Sequence, residues 1–372
     1  MGESPDIFPS FIFQFFLFLT QVLFCLQIFF DQQRFPGYTL GMKKSSLRSL
    51  LILFLFSTLF ICCGPRENGE TSSHQDERLE IAVIPKGMTH EFWKSIHAGA
   101  RQAAEEFGVD VLWKGPQKED DRAQQITVVE DFVSRGVDGI VLAPLDDRAL
   151  MRPVRDATRE NIPVVIIDSA LQGGDFISFV ATDNYQGGVL AAKQMGKLLK
   201  GKGDIFLIRY QVGSASTTKR ERGFHETISE EFPDISFLVQ DQHAGTTTET
   251  AYQLAENLLN RFPDVDGIFC PNESSTFGTL RALQEAGKAG KIVFIGFDSS
   301  PKLVQGLRDG HIHGLVHQDP VRMGYLGVRQ MVLHLQGLSI EKRIDTGVYM
   351  ITKNNMDDPE MKDLLVPDLA KD

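Results

Sequence analysis

One stretch of the chain is written twice. Val137-Asp138-Gly139-Ile140-Val141-Leu142-Ala143-Pro144 recurs as Val265-Asp266-Gly267-Ile268-Phe269-Cys270-Pro271. After one helix-length segment, each copy leads to an apolar run ending in aspartate, Ile166-Ile167-Asp168-Ser169 and Gly296-Phe297-Asp298-Ser299. The offset is about 130 residues both times, close to the size of one α/β domain. A duplicated open sheet sets two rows of strand ends against each other. Ligands of such sheets bind outside the carboxyl ends of the strands, so the repeat predicts a two-lobed α/β clamp around a small molecule.

Composition bounds the rest. A chain of 372 residues with 42% hydrophobic content can bury two cores. Its net charge of -11 argues against a nucleic-acid partner, whose phosphates demand a basic face. Four cysteines, Cys25, Cys62, Cys63 and Cys270, form neither a disulfide framework nor a zinc pattern. Cys270 reads as a small buried apolar residue.

The N-terminal part reads as targeting sequence. Residues 9–30 are uncharged and long enough to span a bilayer. A second unit begins at Met42, with Lys43, Lys44 and Arg48 ahead of the apolar run 50–61 and then Cys62-Cys63-Gly64. This is the order of an export signal and resembles a bacterial lipoprotein signal, with Cys63, or Cys62 beside it, as the lipid-bearing residue. Residues 1–41 are expected to be an extension upstream of the true start or, alternatively, a membrane helix. Residues 42–63 are the signal segment, and 64–78 a polar tether. Export followed by a tether predicts work in the periplasm or at the cell surface, on a membrane anchor.

From Leu79 apolar runs alternate with helical patterns, as in βα units feeding parallel sheets. Strands are expected at 81–84, 110–113, 139–143, 163–167 and 178–181, then at 204–209, 235–239, 267–270, 292–296 and 314–316. Helical spacing predicts a helix over 91–107 with Phe92, Ile96, Ala100, Ala103 and Phe107 inward, and another over 122–135 facing in with Ile126, Val129 and Val133. Gly108, Gly136 and Gly287 stand where helix C-termini favour glycine. Polar residues then follow the strands: Lys86, Asp168, Asp183-Asn184, Arg209, Asn272, Asp298 and Gln318. Any one could be an ordinary loop residue; seven such strand ends together point to one polar cleft.

In these residues the chain resembles the ribose-binding-protein family of bacterial solute-binding proteins. The likeness rests on Phe92-Trp93, Ile162-Pro163-Val164-Val165 leading to Asp168, Ala181-Thr182-Asp183-Asn184 with Gly187-Gly188, Arg220-Glu221-Arg222-Gly223-Phe224, Asn272-Glu273, and Gln318-Asp319-Pro320. It implies the type I periplasmic-binding fold: two Rossmann-like lobes with parallel sheets, joined by three crossings near Thr182, Asp319 and Thr346. The expected lobes are 79–182 plus 319–345, and 183–318 plus 346–372. The implied function is capture of a sugar for the permease of an ABC transporter, by a monomer without cofactor or metal.

The resemblance also implies a site. Arg220 matches the arginine that grips the ligand, and a guanidinium fork suits neighbouring hydroxyls. Asp168 and Asp298 would accept from hydroxyls; Asn272 and Gln318 can accept and donate. Phe92 and Trp93 would flank the ring, although Phe92 also fits the core face of its helix. Asp183 and Asn184 are expected at the hinge. Departures from the ribose pattern are Ser169 after Asp168, Thr246 in place of an aromatic, His90 in place of an asparagine, and Lys86 at the first strand end. Pro85-Lys86 and Asp168-Ser169 resemble binders of rhamnose or of a furanosyl autoinducer. With Lys86 and Arg220 together, an acidic ligand is a further expectation, beside a deoxysugar.

Three other classes compete. A lac-repressor-type regulator shares the fold but needs a helix-turn-helix, where this chain has an apolar export segment. An enzyme lacks support: no nucleotide-binding glycine pattern, no Gly-x-Ser-x-Gly elbow and no His-Glu-x-x-His occurs. Ser214 and Ser216 read as loop or helix-start residues, and His311, His313 and His317 as packing or surface residues, with a metal site as the alternative. A sensory module feeding a membrane kinase or chemoreceptor is not separated from transport by sequence.

Overall fold

The computed structural model describes residues 78–367. The expectations for 1–41, for the export segment and for Cys62 and Cys63 lie outside these residues. Among the described residues no helix is long and apolar enough to cross a membrane.

The chain opens with β1 (Glu80–Ile84), α1 (Glu91–Phe107), β2 (Asp110–Trp113), α2 (Arg122–Arg135), β3 (Gly139–Leu142), α3 (Met151–Arg159), β4 (Val164–Ile167) and β5 (Ser178–Ala181). The same alternation follows with α4 (Asn184–Leu198), β6 (Lys202–Leu207), α5 (Ala215–Glu231), β7 (Asp234–Val239), α6 (Thr248–Arg261), β8 (Gly267–Phe269), α7 (Glu273–Glu285), β9 (Val293–Phe297), α8 (Pro301–Arg308) and β10 (Gly314–His317). It closes with α9 (Pro320–Leu335), β11 (Arg343–Asp345), β12 (Tyr349–Ile351) and α10 (Pro359–Leu365).

Two six-stranded sheets result, ordered β11-β5-β4-β3-β1-β2 and β12-β10-β9-β8-β6-β7. Adding five to the numbers of β1–β5 converts the first order into the second, with β12 in the place of β11, so the duplicated sequence folds into duplicated topology. All pairings are parallel except β12 on β10. Central strands such as β3 and β4 are buried throughout, as parallel sheets covered on both faces require. Each sheet carries one core on either face, for example Ile81, Val141 and Ile167 on one side of the first sheet and Ile84, Leu142 and Ile166 on the other.

Helices α1 and α2 have the expected bounds, and Gly108 and Gly136 end them at φ 66° and 73°. The buried stripe of α2 is rotated from the expected one. Gln125, Val128, Val129 and Phe132 face inward, while Ile126 and Val133 pack from the margin. Gln125 is the reason: its amide donates to Pro85 and Ala143 carbonyls and accepts from Leu145 N, a satisfied polar group inside the core. Strand β6 starts at Lys202 and ends at Leu207, so Arg209 lies beyond it.

The two edge strands β11 and β12 were not anticipated. They follow one another across Gly347 at φ 90°, and each joins a different sheet. Beside them the Thr182 and Thr346 hydroxyls lie 3.2 Å apart, and Thr182 Oγ1 donates to Gly347 O. This buried hydroxyl pair ties the end of β5 to the link between β11 and β12.

In the second half, α4 and α5 cross closely at two glycines. A Cβ on Gly188 would stand 2.0 Å from Arg220 O, and one on Gly223 would stand 2.2 Å from Tyr185 O. This contact sets the position of Arg220 on α5.

Candidate functional site

The carboxyl ends of both sheets face each other across a small cavity of about 30 Å³. Lys86, His90, Phe92, Trp93 and Asp168 line it from the first half, and Arg220, Asn272, Asp298 and Gln318 from the second. Glu119, Tyr210, Ser214, Ser216, Thr217 and Glu273 complete the wall.

The repeat-related aspartates share an unusual backbone. Asp168 and Asp298 have φ of 58° and 67°, the left-handed region that L-residues seldom occupy. Each still donates its N–H to the neighbouring strand, Asp168 to Val180 O and Asp298 to Val316 O. The chain therefore turns sharply at both strand ends and aims both carboxylates into the cleft. Such strain is characteristic of functional positions.

Charges in the cleft are balanced in pairs. Lys86 Nζ lies 2.6 Å from Asp168 Oδ2, outside hydrogen-bond direction, and donates to Ser216 Oγ at 3.0 Å. Arg220 Nη1 is 3.9 Å from Asp298 Oδ2 and donates to Pro271 O at 2.9 Å. Its guanidinium stacks 3.9 Å above the Phe297 ring, a cation–π contact that restrains the fork. Its Nε donates to Asn184 Oδ1 at 2.7 Å. Burial raises the Asp298 carboxyl, with Arg220 and the Gln318 amide opposing.

Glu119 is the hub of the remaining wall. Its Oε1 accepts from Trp93 Nε1 and stands 2.6 Å from His90 Nδ1, and its Oε2 accepts from Tyr210 OH at 2.5 Å. Burial would raise this acid, yet His90, Tyr210 and Trp93 together hold it down at about 2. Burial likewise pulls His90 down, but the Glu119 charge outweighs it and lifts the imidazole to about 9. The pair is ionic at neutral pH.

Among the described residues, five buried side-chain atoms have no hydrogen-bond partner: Asp168 Oδ2, Ser214 Oγ, Arg220 Nη2, Gln318 Oε1 and His317 Nδ1. The first four belong to residues of this cavity wall. Buried polar groups are ordinarily paired, so a concentration of unpaired ones marks where a ligand supplies partners.

The other expected residues fall as follows. Ser169 is buried behind the wall and accepts from Ser216 N across the two halves. Thr246 is buried away from the lining. Asn272 lines the cavity while its side chain caps α7. Asp183 caps α4, and Asn184 donates to Thr182 O. Arg209 turns outward to Gln240 O and Glu221. Ser214 and Ser216 stand at a helix start as expected, Ser214 as the N-cap residue of α5 without a side-chain capping bond and Ser216 in its first turn, and both in addition line the cleft. The histidines hold separate protein partners: His317 bonds Leu364 O, His313 accepts from Phe294 N, and His311 meets Gln284. Cys270 is buried, and burial pushes its thiol up to about 12.

The sequence matches the periplasmic binding protein domain over residues 81–339. The chain belongs to the periplasmic binding protein family. The ribose import binding protein of Bacillus subtilis is 26% identical over 313 residues, which span 83% of this chain and 99% of that one. A solute-binding protein of Agrobacterium vitis, solved with D-fucose, is 37% identical, with a TM-score of 0.75 over 77% of this chain and 100% of that one. One from Agrobacterium radiobacter, in complex with D-arabinose, is 33% identical, also at 0.75, over 78% and 99%. Family members of this kind act outside the cytoplasm.

Proposed function

We propose that this chain is the extracytoplasmic sugar-binding component of an ABC transporter, capturing one neutral monosaccharide between its lobes and presenting the closed form to a membrane permease. The unpaired atoms of the cleft carry the reading. Arg220 Nη2 can only donate, Gln318 Oε1 only accept, and Ser214 Oγ does either, while Asp168 Oδ2, in ionic contact with Lys86, keeps a second acceptor site. The Gln318 amide is oriented by its donation to Asp298 Oδ1 at 2.7 Å, which leaves its oxygen for the ligand. A sugar hydroxyl accepts and donates at once, so adjacent hydroxyls can satisfy the whole set. A carboxylate only accepts, and would leave Asp168 and Gln318 wanting.

Lys86, Arg220 and His90 each face a carboxylate. The positive charge that suggested an acidic ligand is therefore already balanced, and a neutral sugar is the better fit. Phe92 and Trp93, edge to face at 4.9 Å, offer the apolar surface that the C–H face of a pyranose or the methyl of a deoxysugar would cover. Relatives that import ribose or hold D-arabinose and D-fucose support this class, and support transport over sensing or gene regulation.

The bodies that move are 79–182 with 319–345, and 183–318 with 346–372, turning about the crossings near Thr182, Asp319 and Thr346. The protein works as a monomer without catalysis or cofactor, held at the membrane through a lipid on Cys63 or Cys62 and the tether 64–78. A thermal-shift screen of aldopentoses, hexoses, 6-deoxyhexoses and sugar acids tests the ligand class. At least one neutral monosaccharide should raise the unfolding temperature by several degrees; stabilisation by sugar acids alone would contradict it.

A further inference from the structure

Helix α1 carries the aromatic wall, yet nothing in its own lobe caps it. His90 occupies the N-cap position, but its side chain makes no capping bond; the imidazole is turned toward Glu119. The missing acceptor comes from the other half of the molecule. Glu273, first residue of α7, reaches across so that Oε2 accepts from Phe92 N at 3.1 Å and Oε1 from Glu91 N at 3.3 Å. These are two of the donors that every helix leaves unsatisfied at its start, at the end where the helix dipole favours an anion.

Glu273 is itself held on target. Its backbone N–H donates to Asp298 Oδ2 at 3.2 Å, so the residue stands between the aspartate of the second repeat and the aromatic pair of the first. Its α7 is already capped by Asn272, so the Glu273 carboxylate is not needed at home. Burial raises that carboxyl to about 7, while the protonated His90 beside it pulls it down and Asp298 pushes it up. Lys94 pairs with Glu91 on the exposed side of α1 and does not compete for it.

We infer that Glu273 is a cross-lobe latch: it caps α1 in trans when the lobes meet, and so couples closure to the positioning of Phe92 and Trp93 against the ligand. Resting on the sugar-binding reading above, this makes Glu273 a positioning residue. Both bonds span the two halves and so form only on closing, and their loss should reach the closed state alone.

The test compares wild type with Glu273→Ala and Glu273→Gln in calorimetric affinity, ligand-free unfolding temperature, and hydrogen exchange of the Glu91 and Phe92 amides. First-turn amides are ordinarily unprotected, so their exchange in saturating sugar, where the halves are closed, reports the latch directly. Glu273→Ala should weaken sugar binding roughly ten- to hundredfold and expose both amides. Its unfolding temperature should move by no more than about 3 °C. Glu273→Gln, which keeps one acceptor, should fall between. Affinity within about twofold of wild type, or equal protection of the two amides in wild type and Glu273→Ala, overturns the latch. Wild-type protein that takes no sugar would instead contradict the ligand class; the amide comparison, made on protein whose halves are held closed by an engineered cross-lobe disulfide, would still decide the latch.

Discussion

Asn184, the first residue of α4, accepts a 2.7 Å hydrogen bond from Arg220 Nε through its Oδ1 and donates through Nδ2 to Thr182 O at 3.2 Å. Thr182 in turn bonds the Thr346 hydroxyl and Gly347 O. The arginine expected to grip the ligand is thus tied through one amide to two of the crossings between the halves. If Arg220 holds the ligand and these crossings are the hinge, as proposed above, the same bond couples the two.

Asn184→Ala should therefore weaken sugar binding although Asn184 does not line the cleft. The expected loss is about tenfold, the scale of one hydrogen bond to a buried charge. Asn184→Asp, which keeps the acceptor for Arg220, should restore part of it. Calorimetry on both variants checks this; equal affinity of Asn184→Ala and wild type would detach the hinge from the site.

The left-handed backbone of Asp168 and Asp298 gives a second test. Asparagine tolerates this conformation better than alanine does, and it keeps an acceptor for Gln318. Asp298→Asn should lose affinity with a small change in unfolding temperature, whereas Asp298→Ala should lose both. Backbone strain of this kind is worth roughly 1–3 kcal/mol. Equal unfolding temperatures for the two variants would show that the turn costs nothing.

Much of this was legible in the sequence. Asp168 and Asp298 are marked because duplication writes the same strand end twice, and Arg220 because the run Arg220-Glu221-Arg222-Gly223-Phe224 resembles the ribose-binding-protein family. Glu119 is not, since Lys118-Glu119-Asp120-Asp121 reads as a solvated loop; only its place beyond β2, at the carboxyl edge of the sheet, could have drawn attention. Tyr210, Ser214 and Glu273 acquire their roles where one half meets the other, and no local pattern records that meeting. Strands β11 and β12 escaped for a related reason. Each is three residues long, too short for alternation to show, and is defined by the sheet edge it joins.

The ionic wall predicts how stability follows pH. His90 is raised from 6.5 to about 9 by Glu119 against the effect of burial. Its contribution is complete below pH 6.5 and disappears as pH rises through 9. Glu119 is lowered from 4.5 to about 2, so its contribution is present above pH 4.5 and disappears as pH falls through 2. Burial raises Glu273 and Glu221 to about 7, which favours their protonated forms and makes stability fall as pH rises from 4.5 to 7. Burial lowers His317 to about 4, which raises stability from pH 4 to 6.5 and opposes the two glutamates there, so the unfolding temperature should decline most clearly between pH 6.5 and 9. His90→Asn should flatten the decline between 6.5 and 9. A wild-type profile that rises over that interval would contradict the ionic assignment of the pair.

The most direct measurement is small-angle scattering of the protein across a titration with the neutral monosaccharide that stabilises it most, run in parallel on Arg220→Ala. Capture between two halves predicts a radius of gyration that shrinks to a plateau at one sugar per chain in wild type, and a compaction displaced to much higher sugar in the variant. Saturable binding with no change of radius, or an Arg220→Ala curve that overlays wild type, would contradict the account.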